Sequence, residues 1–322
     1  MSIRYVQKTK VQKKIGEYSM ALYVIGDFLR EIRIRKGYTQ EEVSFGICTP
    51  ASLSRIENGT QMPGRLILEK LLERLGTENN LFNVFVSRDE IELYTAIQEL
   101  IRYVTDEDMD KLEEQIAKVE KLTEGSSELE QQSLLWAKGK LAAQKYKDNS
   151  AAMKLFMKAI HITLPDFDGR TPLRNHLLTF DEITIINSIA VRYAQNGEYM
   201  SAIKLNMWLK DYMESRIVDG KMKTAKYPMI LYNLSNWFGE EACHKEALKM
   251  ADEGIDFCIK YGNLVIFPAL ILNKGVALIE MGQQADGEEY LHQAITIYKA
   301  MKKSEKVKLI MEWCVTRCIE DN

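Results

Sequence analysis

Residues 39–63 read Thr-Gln-Glu-Glu-Val-Ser-Phe-Gly-Ile-Cys-Thr-Pro-Ala-Ser-Leu-Ser-Arg-Ile-Glu-Asn-Gly-Thr-Gln-Met-Pro. This stretch decides the fold of the N-terminal part of the chain. Thr39 stands three residues before Glu42, which is the spacing of a capping box at the start of a helix. Thr49 and the proline after it predict a second helix start, because threonine caps helices and proline is favoured at their first position. Gly59 supplies a left-handed stop. Two short helices separated by a tight break are therefore predicted.

The helical pattern continues on both sides of this stretch. Apolar residues recur at helical intervals from Ile25 until Gly37 ends that helix. A fourth helix is expected to open at Pro63 and to close at Gly76. Four short helices within residues 25–76 predict a helix-turn-helix domain, in which the second helix of the pair enters the major groove of DNA.

The third helix is the predicted recognition helix. Leu53 and Ile56 fix it to the core and leave the opposite face for DNA, while Glu57 is expected to bond within the domain. Arg55 could bond a guanine edge bidentately, and a phosphate contact or a solvated position is an equally open alternative. Gln40 lies at a helix N-terminus, which suits a phosphate contact. The predicted DNA-binding residues are Arg33, Arg35 and Lys36, which would neutralise phosphates of the DNA backbone, together with Gln40, Thr49, Ser52 and Arg55.

Charge is distributed unevenly along the 322 residues. Residues 1–76 carry 13 Lys and Arg against 8 Asp and Glu, whereas the remainder carries 30 against 38. A basic head suits DNA, and the acidic remainder does not favour nucleic acid. The composition, 46% hydrophobic and 28% charged, is that of an ordinary globular protein and excludes disordered chains, collagen-like repeats and coiled-coil rods.

Beyond residue 77 the chain has the pattern of successive amphipathic helices. They are predicted at 90–104, 107–123, 128–146, 148–163, 180–197, 199–217, 225–240, 244–262, 266–282, 284–302 and 304–319, which makes five hairpins and a terminal helix. A small residue recurs near the start of the second helix in four hairpins, at Ala152, Ala202, Ala247 and Gly287, with spacings of 50, 45 and 40 residues. This recurrence favours degenerate tetratricopeptide repeats over a plain α-helical bundle.

The N-terminal segment resembles a known class of regulators. From Ile25 to Gly76 it is similar to the helix-turn-helix of the Xre, or lambda-repressor-like, class. The run Gly46-Ile47-Cys48-Thr49-Pro50 through Glu57-Asn58-Gly59 is especially similar to the Rgg/PlcR branch (the RRNPP family), whose architecture the repeat array also matches. The resemblance implies a cytoplasmic, homodimeric transcription regulator whose repeat domain binds a short peptide pheromone in quorum sensing. Its implied partners are a double-stranded DNA operator, the signalling peptide and a second copy of the chain.

The predicted fold class is all-α, with an N-terminal lambda-repressor-like helix-turn-helix domain followed by a right-handed α-solenoid of tetratricopeptide-like hairpins. The expected organisation is a basic N-terminal arm at 1–24, the DNA-binding domain at 25–76, a linker at 77–89, and a peptide-sensing and dimerisation domain at 90–322.

A helical solenoid presents a concave groove that suits an extended peptide. Asn187, Asn233 and Asn273 lie 14 or 15 residues before the small residues at 202, 247 and 287. An asparagine side chain both donates and accepts, so it can bond a peptide backbone. The resemblance implies that role, and the alternative is that these side chains bond a neighbouring helix or face water. Tyr232, Asn236 and Trp237 could form a side-chain pocket or belong to the core, and the predicted peptide-binding residues are Asn187, Asn233, Asn236, Trp237 and Asn273.

Other function classes find little support. The four histidines lie on separate segments and no glycine-rich phosphate loop is present, so neither catalysis nor a cofactor is expected. No metal site is expected, since Cys314 and Cys318 lie one helical turn apart without a further ligand. No apolar run is long enough for a transmembrane helix, and five scattered cysteines suit a reduced, cytoplasmic protein.

Two alternatives to a peptide-responsive regulator stay open. One is a peptide-independent helix-turn-helix repressor whose repeats act only as a dimerisation or protein-interaction scaffold. The weaker one is an enzyme regulated through the same groove. The peptide, the operator and the sign of the regulation are not encoded in any motif of the sequence.

Overall fold

The structure is a computed structural model that describes residues 25–77, 88–124, 128–173, 175–216 and 220–316. These described residues form α-helices joined by turns and loops, with no β-strand among them. The predicted all-α fold is thus confirmed. The basic arm at 1–24 and most of the predicted linker lie outside the described residues, and the domain boundaries stay predictions.

The N-terminal helices are α1 (residues 25–35), α2 (Gln40–Ser44), α3 (Pro50–Glu57) and α4 (Arg65–Arg74). The predicted capping box is present: the Thr39 N–H donates to Glu42 Oε2 at 2.7 Å, and the Glu42 N–H donates to Thr39 Oγ1 at 3.1 Å. Thr49 caps α3 by accepting the Ser52 N–H at 3.1 Å. Helix α4 starts two residues later than predicted because Gly64, rather than Pro63, takes the extended N-cap conformation.

The helices after residue 77 agree closely with the sequence pattern. They are α5 (Arg88–Thr105), α6 (Met109–Leu122), α7 (Glu128–Gln144), α8 (Asn149–His161), α9 (Phe180–Gln195), α10 (Tyr199–Ser215), α11 (Gly220–Glu240), α12 (His244–Tyr261), α13 (Phe267–Glu280), α14 (Gln284–Ala300) and α15 (Ser304–Thr316). The largest difference is at α11, which begins five residues earlier than predicted and contains Pro228.

Every described hairpin turns in the same way. The turn residue has a left-handed backbone conformation, the next residue is the N-cap of the second helix, and the residue after that begins it. The left-handed residues are Glu107, Lys147, Gly197, Ala242 and Gly282, with Lys302 in the turn before α15. In four of the five hairpins the N-cap N–H bonds a carbonyl five residues back, as from Cys243 to Phe238 at 2.8 Å, which is a Schellman-type helix end. In the α7–α8 turn the Asp148 N–H instead bonds the Ala142 carbonyl, six residues back, at 3.0 Å.

This turn explains the recurring small residues seen in the sequence. Each of the four lies five residues after a left-handed residue, as Ala247 follows Ala242. The corresponding residue of the first hairpin is Leu112, so the sequence pattern shows only four of five repeats. The backbones of α13 and α14 approach closely, since a Cβ on Gly275 would lie 2.8 Å from the Gly287 carbonyl oxygen. The first helices of neighbouring hairpins also pack together, α5 on α7 and α11 on α13, as expected for stacked repeats.

The chain divides into two compact units: residues 1–169 with 173–186, and residues 170–172 with 187–322. The helix-turn-helix belongs to the first unit and packs there on repeat helices. Leu177 joins its hydrophobic core, and Arg74 of α4 forms a buried ion pair with Glu182 of α9. The Lys70 ammonium lies 2.8 Å from Asp181, and the Phe180 N–H donates to Glu73 at 3.0 Å. These contacts form a polar seam between the side chains of α4 and the start of α9, and the seam holds the helix-turn-helix within this unit.

Candidate functional site

Helix α3 presents one apolar and one polar face. Leu53 and Ile56 are both 1% exposed and pack into the core of the helix-turn-helix. Thr49, Ala51 and Arg55 are exposed on the other side. The predicted orientation of the recognition helix is therefore present, with the start of the helix open to solvent.

The exposed polar side chains of α3 are connected to one another. Thr49 Oγ1 donates to Ser52 Oγ at 2.9 Å, and Arg55 Nη2 donates to the same Ser52 oxygen at 3.0 Å. Arg55 Nε donates to Gln61 Oε1, in the segment after α3, at 2.9 Å. The sequence pattern predicted the first three residues and missed Gln61, which lies outside the helix.

Glu57 is the centre of a second, buried network behind the recognition helix. Its carboxylate accepts two bonds from Arg33, Nε at 2.7 Å and Nη2 at 2.8 Å, and one from Gln40 Nε2 at 2.8 Å. The Glu57 side chain is only 2% exposed, and its bond to Arg33 raises the pKa of that guanidinium. Glu57 thus bonds within the domain, as expected.

This network changes how two predicted DNA contacts are interpreted. The Arg33 guanidinium also donates to the Tyr38 carbonyl oxygen at 3.0 Å, so it holds the domain together rather than facing a phosphate. One Gln40 amide hydrogen is directed to Glu57, which fixes the side chain at the start of α2. We therefore retain Gln40 as a proposed phosphate contact and correct the assignment of Arg33 to a structural one.

Arg35 and Lys36, the other two cations predicted to contact phosphates, differ in their exposure to solvent. Lys36 is half-buried and its ammonium donates to the Leu75 carbonyl oxygen at the end of α4. Burial, with a further contribution from the charge of Arg35, lowers the Lys36 pKa. Arg35 is itself exposed, as is Arg30 one helical turn and a half before it. Arg35 is thus better placed than Lys36 for a phosphate.

Two of the three predicted groove asparagines lie together in the second unit. Asn187 Oδ1 on α9 accepts from Asn233 Nδ2 on α11 at 2.9 Å. It also accepts from Asn206 Nδ2 on α10 at 2.9 Å, a residue that the sequence pattern missed. Asn206 is fully buried, and its Oδ1 has no hydrogen-bond partner. The three amides form an asparagine cluster with donor and acceptor capacity left over.

The remaining predicted peptide contacts are placed differently. Asn273 Nδ2 on α13 donates to the Tyr232 carbonyl oxygen on α11 at 3.3 Å, and Asn273 is half-buried. Asn236 is exposed. Trp237 is only 4% exposed, so its ring is a core side chain and we drop it from the set of peptide contacts. All three asparagine side chains thus bond a residue of a neighbouring helix, and their role in peptide binding stays a prediction.

Other kinds of site have no residues to support them in the described part of the chain. No group of three or more His, Cys, Asp or Glu side chains there is arranged to hold a metal ion. None of the helices described has the length and apolar character needed to cross a membrane.

Comparisons with known proteins agree with this geometry. The helix-turn-helix family model HTH_3 matches residues 29–78, which span the caps, the recognition helix and α4. PlcR of Bacillus thuringiensis, solved in complex with the peptide PapR7 and DNA, is 19% identical with a TM-score of 0.61. That match covers 89% of this chain and 98% of the PlcR chain. The chain has the PlcR fold.

Other solved structures are also similar to this chain. The apo form of PlcR is 17% identical with a TM-score of 0.56, covering 90% of this chain and 98% of PlcR. The SHP pheromone receptor Rgg2 of Streptococcus dysgalactiae is 13% identical with a TM-score of 0.46, covering 91% of this chain and 99% of Rgg2. No curated protein matches the sequence. The chain thus contains a helix-turn-helix domain and has helical repeats with the PlcR fold, which confirms the predicted resemblance.

Proposed function

We propose that the protein is a sequence-specific transcription regulator whose repeat domain binds a short signalling peptide, and that the peptide controls DNA binding or the geometry of a homodimer. The observation that carries this proposal is the asparagine cluster of Asn187, Asn206 and Asn233 within a PlcR-like array. PlcR has been solved with both a peptide and DNA, which supports the same pair of ligands here.

The DNA contact follows from the polar face of α3. Thr49, Ser52 and Arg55 lie at the exposed side of the helix that such domains insert into the major groove. Arg35 and the N-terminus of α2 with Gln40 would contact phosphates on either side. One recognition helix reads only half a site, so two copies of the chain are expected on a full operator.

The peptide contact follows from the chemistry of the amides. An extended peptide presents alternating N–H and C=O groups, and an asparagine can bond both at once. Asn206 Oδ1 is an unpaired acceptor, and Asn187 Oδ1 accepts two bonds. A peptide N–H could take the place of a donor to Asn187, and a peptide carbonyl could accept from the amide that this releases. The cluster would then exchange bonds among its own amides for bonds to the peptide backbone, and such bonds do not depend on the side chains of the peptide.

A thermal-shift screen of the full chain with short synthetic peptides tests this proposal. A peptide that binds the native state should raise the melting temperature in a concentration-dependent way. The effect should be lost in Asn187→Ala and retained in Gln293→Ala, whose side chain is exposed on α14 and lies outside the cluster. Operator affinity measured with and without the peptide then gives the sign of the regulation.

The peptide-independent repressor is a second candidate, because bonds among the asparagines also suit a purely structural cluster. In that case the cluster only joins α9, α10 and α11. Asn187→Ala would melt earlier than the unsubstituted protein, yet no peptide would stabilise either protein, and operator binding would not respond to peptides.

A further inference from the structure

Gln61 lies in the segment between α3 and α4, outside the recognition helix, yet it contacts Arg55, the basic residue of that helix. Its Oε1 accepts from Arg55 Nε at 2.9 Å. Ser52 Oγ accepts from Arg55 Nη2 at 3.0 Å. The Arg55 side chain is therefore held at two of its nitrogens by residues on either side of it.

The backbone around Gln61 is fixed to the same arginine. The Arg55 carbonyl oxygen accepts the Thr60 N–H at 2.9 Å and the Gln61 N–H at 3.2 Å, and Thr60 Oγ1 donates to it at 3.0 Å. Gly59, with φ of 67°, makes this return of the chain possible. The turn at the end of α3 thus brings the Gln61 backbone next to Arg55. The side-chain contact is therefore supported by fixed backbone bonds.

These contacts leave one edge of the guanidinium open. A guanidinium has five N–H donors, and the Nε–H and one Nη2–H of Arg55 are engaged. The two Nη1–H groups and the second Nη2–H stay free. These terminal N–H groups of the guanidinium can bond O6 and N7 of a guanine in the major groove.

We propose that Gln61 is a positioning residue for base recognition: it holds Arg55 so that the free end of the guanidinium reads a guanine rather than a phosphate. The inference rests on the proposed DNA-binding function and deepens it by naming the base. A mobile arginine side chain loses rotamer entropy when DNA fixes it, and a preformed contact removes part of that loss before DNA arrives. Without Gln61, the long side chain could reach the flanking phosphates, which carry no sequence information.

The test begins with an operator selected by the full-length protein from random-sequence duplex DNA. Each base pair of that operator is then substituted in turn, and dissociation constants are measured by fluorescence anisotropy at one salt concentration. Arg55→Ala identifies the guanine by removing discrimination at one position of each half-site. Gln61→Ala should reduce the discrimination at that same position by roughly tenfold. Affinity for non-specific DNA should not fall and its salt dependence should not weaken, because the released Arg55 can still contact a phosphate.

Three variants make the result specific. Gln61→Glu keeps an acceptor for Arg55 Nε and should restore discrimination relative to Gln61→Ala, at lower overall affinity because of its charge. Thr60→Ala removes only the hydroxyl bond to the Arg55 carbonyl and should retain discrimination. In Arg55→Ala, the further change Gln61→Ala should have no effect, since a positioning residue acts only through its partner.

Two outcomes overturn the inference. Unchanged base discrimination in a folded Gln61→Ala protein would show that Arg55 needs no such support. An equal loss in the Arg55→Ala background would show that Gln61 contacts DNA itself. If the unsubstituted protein selects no operator, the proposed function fails instead, and the two failures are thereby distinguished.

Discussion

Arg74 and Glu182 form an ion pair across 108 residues of sequence, with Arg74 Nη2 and Glu182 Oε1 2.7 Å apart. Both side chains are buried, at 1% and 0% exposure. The Arg74 guanidinium also donates to the Phe45 carbonyl oxygen, and Glu182 also accepts the Thr179 N–H at 2.6 Å. The pair therefore joins α4, the α2–α3 turn and the start of α9 inside the first unit.

Glu182→Gln should destabilise the protein by about 3–5 kcal/mol, because it leaves the buried Arg74 charge without its counter-charge. Glutamine keeps an acceptor for the Thr179 N–H, so the loss is not that of a helix cap. Glu42→Gln is the matched control, since Glu42 has the same capping-box role in an exposed place and should cost less than about 1 kcal/mol. Urea unfolding of both variants measures the difference; equal losses would contradict the prediction.

Stability should fall as pH rises from about 5 to about 7. Burial raises the pKa of Glu73 from 4.5 to about 7, with the Lys70 charge opposing this and the Asp181 charge adding to it. A carboxyl group whose pKa is higher in the folded state binds its proton more tightly there, so folding is favoured below the unfolded pKa and loses that benefit as pH passes the folded one. We expect a loss of about 1–3 kcal/mol.

Glu73→Gln should remove this pH dependence and raise the free energy of unfolding at pH 8. Urea unfolding of both proteins across the pH range gives the comparison. Glu120→Gln is the control, because Glu120 pairs with Lys138 at the surface and should leave the profile unchanged. A Glu73→Gln protein that loses stability at pH 8 would show that the ionised carboxylate is preferred at this seam.

Ala242→Gly should stabilise the protein although it removes a side chain. Ala242 has φ of 56°, a left-handed conformation that alanine tolerates poorly and glycine adopts freely. The net gain should be about 0.5–1 kcal/mol, since the glycine also makes the unfolded chain more flexible. The converse change, Gly282→Ala at the equivalent turn with φ of 83°, should destabilise by about 1 kcal/mol. Thermal melts of the two variants should shift in opposite directions.

Asn187→Ala should lower the free energy of unfolding by about 1–3 kcal/mol, because it leaves the Asn206 amide buried without a partner. Asn236→Ala should be neutral, as that side chain is exposed. A neutral Asn187→Ala would indicate that water replaces the lost acceptor.

Local signals made most of the fold predictable. The Thr39 capping box, the Thr49 cap and the small residues at each hairpin all act within a few residues, so their spacing is visible in the sequence. Arg74 and Glu182 could not be paired in advance, because only the folded chain brings residues 108 positions apart together. The same holds for Lys36, whose position predicted a phosphate contact while the fold directs its ammonium to the end of α4.

The candidate sites were predictable only where the periodicity of one helix decides the exposed face. That was sufficient for Arg55 and Ser52 on α3. Asn206 was missed because it lies on the second helix of its hairpin, whereas the pattern compared first helices only. Trp237 was included because an aromatic residue next to Asn236 fits a pocket as well as a core, and only packing distinguishes the two.

The constant geometry of the hairpin turns has a consequence for engineering. Since the left-handed residue, the N-cap and the small residue keep one register in the last four hairpins, the differences in repeat length lie elsewhere, in the long connection before α9 and in the lengths of the helices, such as α11 against α13. A hairpin is then the natural module for building chimaeras. Crossover points placed in a connection, such as residues 262–266 between α12 and α13, should transplant a module with its internal packing intact. Crossovers placed at a turn such as Ala242 would separate two helices that were packed as a pair.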